Sequence, residues 1–255
     1  MKQFFGFVLL SAIVAAPAAA EDVLYIGNSY TSYNDLPRLV QVIAVSKRKA
    51  AAAAAITPGG ADFAAHLTQP ATDVALTSKP WHFVVLQDQS LRATRLRGAA
   101  EFLGFGEQFY RHIAQRVPQA KVVLYETWAY GRGHAIYTAQ PGGAAPFADP
   151  DAMYAEIHAN YSALQSRLQA IDATRTVLLA PVGAAFQRCT REHPQIELYE
   201  QDRSHPSPAG SYLAALVIYA TLFNDSPVGA AAGNANAQIA KALQETAAAI
   251  TTAGQ

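Results

Sequence analysis

Four short apolar runs punctuate the 255-residue chain: DVLYIG from Asp22, HFVVLQ from His82, KVVLYE from Lys121 and TVLLAP from Thr176. Their Val and Leu residues occupy successive positions instead of alternating with polar ones. That is how strands read when both faces are covered, as in a parallel sheet between helix layers. The stretches between them have helical period. LPRLVQVIAVSKRK places Leu36, Leu39, Val40, Ile43 and Ala44 on one face, with candidate caps at Ser32 and Asn34. Gly98–Val117 and Asp151–Ile171 read the same way, and the run Ser207–Phe223 carries Pro208 in its first turn. The β-α-β alternation predicts a parallel sheet with right-handed crossovers.

The six alanines from Ala50 favour helix by propensity, yet a strand is due before the Pro58-Gly59-Gly60 turn, so residues 52–57 are expected as a second strand. The pattern thus gives an α/β chain: a single-domain three-layer α/β/α sandwich with a five-stranded, mostly parallel sheet. Tyr130–Pro150 is too rich in Gly and Pro for regular structure and is expected as a long loop bordering a cleft. The Ala-rich tail from Gly229 reads as a last surface helix or a frayed end.

The first 20 residues depart from this alternation. Lys2, an apolar stretch from Phe4 to Ala16, Pro17 and then Ala18-Ala19-Ala20 have the form of a secretory signal peptide cleaved after Ala20. Domain limits of 1–20 and 21–255 follow, with a secreted or periplasmic mature chain of 255 − 20 = 235 residues and no stable membrane anchor. Such a chain suffices for one domain burying roughly 70–75% of its unfolded surface. The single Cys189 offers no internal disulfide, so the core must supply stability, and it is expected as an inert thiol. With 19 basic and 19 acidic residues the formal charge is zero, which gives no long-range field for nucleic acid or an anionic membrane.

Candidate chemistry lies at two places. YIGNSYT ends the first strand on Gly27-Asn28-Ser29, where the carboxyl ends of parallel strands collect site loops. Ser29 is either a nucleophile or an ordinary turn residue. Near the other end, YEQDRSHPSPAG holds Asp202 and His205 three residues apart ahead of a helix. A turn of that length can bring the carboxylate to Nδ1 and leave Nε2 for a nucleophile; alternatively Asp202 caps a turn and His205 is a solvated loop residue. The order Ser, Asp, His also suits an α/β-hydrolase, but that fold requires G-x-S-x-G, and Thr31 stands where the second glycine belongs. Trp128 in YETWAYG is either the floor of a substrate cleft or a core residue. No H-x-x-x-H, P-loop or dinucleotide fingerprint is present, so neither a metal site nor a cofactor is expected.

These blocks, GNSYT at Gly27–Thr31, Gly59-Gly60, VVLQDQS at Val84–Ser90 and DRSHPS at Asp202–Ser207, resemble the ordered motifs of the SGNH (GDSL-type) hydrolase superfamily, which is flavodoxin-like in fold. YIGNSYTSYNDLP and LYEQDRSHPSPAGSYLAA resemble, more narrowly, a bacterial branch of uncharacterised SGNH-like domains. The resemblance implies Ser29 as nucleophile, His205 as general base and Asp202 as its orienting partner. It implies an oxyanion hole made by the Ser29 N–H, the Gly60 N–H (or Gly59) and a side-chain amide. In that third role Gln89 stands where most members carry Asn, and Gln87 stands where they carry Gly. The implied activity is that of a cofactor-free exported serine esterase acting on a small-molecule or glycan ester, O-acetyl groups included. The rival expectation, favoured by Gln87 and Gln89, is a non-catalytic glycan-binding or assembly protein that retains the fold.

Overall fold

A computed structural model describes residues 20–139, 141–233 and 236–252. The expected signal segment, apart from Ala20, lies outside the described residues. Five strands form one sheet: β1 (Glu21–Ile26), β2 (Ala51–Ile56), β3 (Phe83–Leu86), β4 (Lys121–Tyr125) and β5 (Val177–Ala180), in the order β2-β1-β3-β4-β5. Every strand pair is parallel, from Glu21 opposite Ala51 at one edge to Tyr125 opposite Ala180 at the other.

The three central strands carry the uninterrupted apolar runs, and Val23–Ile26, Phe83–Leu86 and Val122–Tyr125 are all buried. Covered on both faces, such strands need no polar alternation. Among the described residues the polyalanine strand is an edge, paired with β1 and partly exposed, so small residues leave no large cavity there. Its pairing overrides alanine's helix preference, because six strand residues gain ladder bonds and cover from α2 (Leu36–Ser46).

The crossovers divide the helices. α2 packs on α8 (Pro208–Phe223), which also meets α7 (Val182–Glu192) and α9 (Ala237–Thr252). Placed among these neighbours, α8 is apolar on every side, with twelve of its sixteen residues buried. α5 (Ala99–Arg116) and α6 (Pro150–Ile171) pack together in the other layer, where Gly106 gives Leu164 room that a Cβ would occupy.

The sequence pattern missed four helices. α1 (Ser29–Ser32), α3 (Phe63–Thr68) and α4 (Pro70–Thr77) have four, six and eight residues, too few turns to establish a period. α7 begins directly at the end of β5, with Gly183 in its first turn, where a Cβ would run into the Thr127 carbonyl. Among the described residues, the stretch 130–149 is irregular apart from a single 3-10 turn at Ala135–Tyr137, and Pro150 already opens α6. Cys189 is buried, and desolvation pushes its thiol up to about 12, as an inert core cysteine requires.

Candidate active site

Ser29 opens α1 immediately beyond β1, and the Asn28 side chain caps that turn by accepting the Tyr30 N–H at 3.1 Å. The turn is fixed from beneath. Gln87 Oε1 accepts both the Asn28 N–H (3.0 Å) and the Thr31 hydroxyl (2.9 Å). Gly27 is what lets Gln87 come so close, since a Cβ there would lie 2.6 Å from Gln87 Oε1. Gln87 in place of Gly is therefore a support for the serine turn, with its partner space supplied by Gly27.

His66, which no motif singled out, holds the same turn from the α3 side. Its Nε2 lies 2.8 Å from the Gly27 carbonyl and its Nδ1 lies 3.0 Å from Thr72 Oγ1. Because a carbonyl only accepts, Nε2 carries the proton and Nδ1 accepts from Thr72. Burial lowers the pKa of His66, consistent with a neutral ring.

The loop before α8 brings the other two residues to Ser29. His205 Nε2 lies 2.9 Å from Ser29 Oγ, and His205 Nδ1 lies 2.5 Å from Asp202 Oδ2. Asp202 Oδ1 also accepts the Ser204 and His205 N–H groups, each at 2.9 Å. Desolvation works against its charge, but the His205 ring and these two N–H bonds prevail and hold Asp202 below its ordinary value. The loop is pinned by Trp128 Nε1 to the Ser204 carbonyl (3.0 Å), by Tyr30 and Ser204 sharing a hydroxyl bond (2.6 Å), and by the Gly131 N–H to the Arg203 carbonyl (2.7 Å).

Trp128 is not a cleft floor. It is fully buried, stacked between Tyr30 (4.5 Å) and Phe186 (4.2 Å), because its ring fills the space beneath the histidine loop. The exposed aromatic at the site is Tyr33, stacked 4.3 Å from the His205 ring. An aromatic four residues beyond a serine gives no signal by itself, and only the long-range contact reveals it.

Gly60 lies in the turn after β2 with φ +71°, and among the described residues no acceptor takes its N–H. The Ser29 N–H, first in its helix, is likewise without an acceptor there. Asn28 Nδ2 donates to the Ala61 carbonyl at 2.8 Å and so ties this loop to the residue before Ser29. Arg92, from the loop after β3, grips Asp62 Oδ2 through Nε at 2.9 Å, joining the two loops. Gln89 is turned into its own loop: Oε1 accepts the Leu91 N–H (2.9 Å) and Nε2 donates to Ser90 Oγ (3.2 Å), leaving Nε2 one further hydrogen. Beside it Asp88, wholly buried and bonded to the Phe63 and Gln89 N–H groups, is pushed up to about 7 by desolvation.

The architecture is shared with solved structures. A DUF4886 family protein from Bacteroides uniformis superposes with a TM-score of 0.73 at 16% identity, over 92% of this chain and 95% of that one. The chain has the SGNH hydrolase fold. A lipase/acylhydrolase from Enterococcus faecalis matches with a TM-score of 0.57 (14% identity, 78% and 93% covered), and an acetyl xylan esterase with 0.55 (16% identity, 79% and 100% covered). Compared by sequence, the chain matches no family model and no curated protein. Among the described residues there is no group of side chains that could hold a metal ion and no helix long and apolar enough to cross a membrane.

Proposed function

We propose that this protein is an exported SGNH-type serine esterase. The observation that carries the reading is the unbroken chain Ser29 Oγ, His205 Nε2, His205 Nδ1, Asp202 Oδ2, with contacts of 2.9 and 2.5 Å, the first of them between residues 176 positions apart. A binding module has no use for that alignment, whereas acyl transfer requires it.

In this mechanism His205 takes the Ser29 proton as Oγ attacks the ester carbonyl. Asp202 fixes the tautomer and stabilises the imidazolium that forms. The developing oxyanion accepts from the Ser29 and Gly60 N–H groups, with the remaining Nε2 hydrogen of Gln89 as a third donor once its side chain swings out of its own loop. His205 then protonates the departing alcohol, and a water molecule, deprotonated by the same imidazole, releases the acid. No cofactor enters. The substrate class follows from weaker support: the leader-like first 20 residues suggest an extracellular substrate, and an acetyl xylan esterase shares the fold, so O-acetyl groups on a glycan are the esters to try first.

The test is covalent labelling by a fluorophosphonate, read by intact mass, beside hydrolysis of p-nitrophenyl acetate and acetylated xylan. A single adduct on Ser29, with turnover falling on the order of 10⁴-fold or more in Ser29→Ala, is the expected result. A folded protein that neither labels nor turns over either ester would instead favour the non-catalytic binding role, to which the self-bonded Gln89 already points.

A further inference from the structure

The segment carrying Ser29 also carries the contacts that hold His205. Beyond Tyr30, which reaches Ser204, the chain passes through Tyr33 and then two consecutive non-glycine residues in left-handed conformation, Asn34 (φ 52°, ψ 23°) and Asp35 (φ 51°, ψ 55°). Such a pair is a costly arrangement for L-residues, tolerated best by Asn and Asp, and persists where the surroundings enforce it. Here it turns the Tyr33 and Asn34 side chains onto the histidine loop and the helix that follows. Asn34 Nδ2 donates to the carbonyl of Pro206, the residue after His205, at 3.1 Å, and to Ser211 Oγ at 2.9 Å. The Tyr33 ring lies nearly parallel to the imidazole, 4.3 Å away with an interplanar angle of 18°, while Tyr30 meets its edge at 5.5 Å.

From the side of β4, Trp128 and Gly131 hold Ser204 and Arg203, which precede His205. The backbone just beyond the histidine is tied to the nucleophile's own segment only through Asn34, among the described residues. We propose that the Tyr33–Asn34 turn is a positioning element of the ester site: Asn34 sets the reach of His205 to Ser29, and the Tyr33 face holds the imidazole plane and favours the imidazolium formed during acyl transfer. The aromatic face is the negative end of its quadrupole, so it attracts a ring that gains positive charge. The inference rests on the esterase reading, and it assigns roles to two residues that themselves need not touch substrate.

Three variants test it. Asn34→Gly accepts the left-handed backbone without strain and deletes only the amide. Tyr33→Leu removes the ring face, and Tyr33→Phe restores it without the hydroxyl. Asn34→Gly and Tyr33→Leu are expected to lower kcat and the fluorophosphonate labelling rate by about 10- to 100-fold with KM nearly unchanged, since a small misplacement of the base affects chemistry more than binding. Tyr33→Phe is expected to recover the wild-type rate. A downfield proton resonance from His205 Nδ1–H on Asp202 should be sharp in the wild type and broadened in Asn34→Gly.

Wild-type kcat in both Asn34→Gly and Tyr33→Leu overturns the proposal, and so does a Tyr33→Phe variant as impaired as Tyr33→Leu. If the wild type neither labels nor hydrolyses esters, the esterase reading fails on its own. The proton resonance then decides the positioning claim separately: an unchanged signal in Asn34→Gly refutes it. Near-UV circular dichroism and Tm establish that each variant is folded.

Discussion

Among the described residues, two carboxylate–histidine pairs engage the imidazole through Nδ1 at under 3 Å. Asp202 meets His205 Nδ1 at 2.5 Å, and Glu126 meets His158 Nδ1 at 2.8 Å. They differ in what surrounds them. Glu126 is fully buried at the end of β4, where it also accepts the Tyr154 hydroxyl (2.9 Å) and the Ala184 N–H (3.2 Å). Asp202 is about half exposed on a loop. His205 turns its second nitrogen to a serine, whereas among the described residues no hydroxyl or thiol is bonded to His158 Nε2. A carboxylate–imidazole contact is thus a structural unit that serves either purpose. What makes one of them a candidate catalyst is the group on the far side of the ring, and what makes the other a structural tie is the burial of its acid.

Neutralising each acid separates these roles most strongly. Asp202→Asn should lower esterase kcat by on the order of 10³–10⁴-fold while leaving Tm close to wild type, because the imidazole loses its orienting acceptor on an exposed loop. Glu126→Ala should do the reverse. It leaves a buried phenol and a backbone N–H without their acceptor, so a loss on the order of 3 kcal/mol is expected, or a Tm fall of about 6–12 °C for a domain of this size. Below that transition, turnover per folded molecule should match wild type. Kinetics and thermal melts on both variants check the crossing pattern, and a Glu126→Ala enzyme with normal Tm but lost turnover would break the distinction.

Asp88 sharpens the comparison as a third acid, buried like Glu126 but, among the described residues, bonded through its carboxylate to N–H groups and to no imidazole. Its folded pKa of about 7 lies above the unfolded value near 3.8. Below about pH 4 both states hold the proton and Asp88 contributes nothing; as pH rises toward 7 the unfolded chain releases it first, so stability falls across that window. Asp88→Asn keeps an oxygen acceptor without the charge and should stabilise the protein at pH 7.5 by on the order of 2 kcal/mol, with the gain vanishing near pH 4. Urea unfolding at the two pH values measures it.

Much of this was legible in the chain. The apolar runs locate β1, β3, β4 and β5 because strands covered on both faces admit no polar alternation, and the need for a crossover partner locates β2 in spite of its alanines. Ser29, Asp202 and His205 could be named because each follows a strand or precedes a helix, where site loops gather. The supporting residues were not legible. His66, Gln87 and Asn34 act through partners 39, 59 and 177 residues away and Tyr33 through ring contact, and no local period encodes such pairs. Trp128 shows the converse: its place beside the site was readable, but its burial depends on Tyr30 and Phe186, which reach it from other elements.

The smallest effect concerns the charge state of the structural pair. The hydrogen bond to Glu126 raises the pKa of His158 above 6.5, outweighing desolvation of the ring. Since the folded value is the higher one, the contribution is complete below the unfolded pKa near 6.5 and disappears as pH rises through the folded value. With half of the His158 side chain exposed, solvent screening keeps this below about 1 kcal/mol. His158→Gln should therefore be less stable than wild type at pH 5.5 by that small margin and equal to it at pH 9, with esterase kcat unaffected at either. Urea midpoints across the range test the sign. A gap that stays constant with pH would mean that a neutral imidazole bridges Glu126.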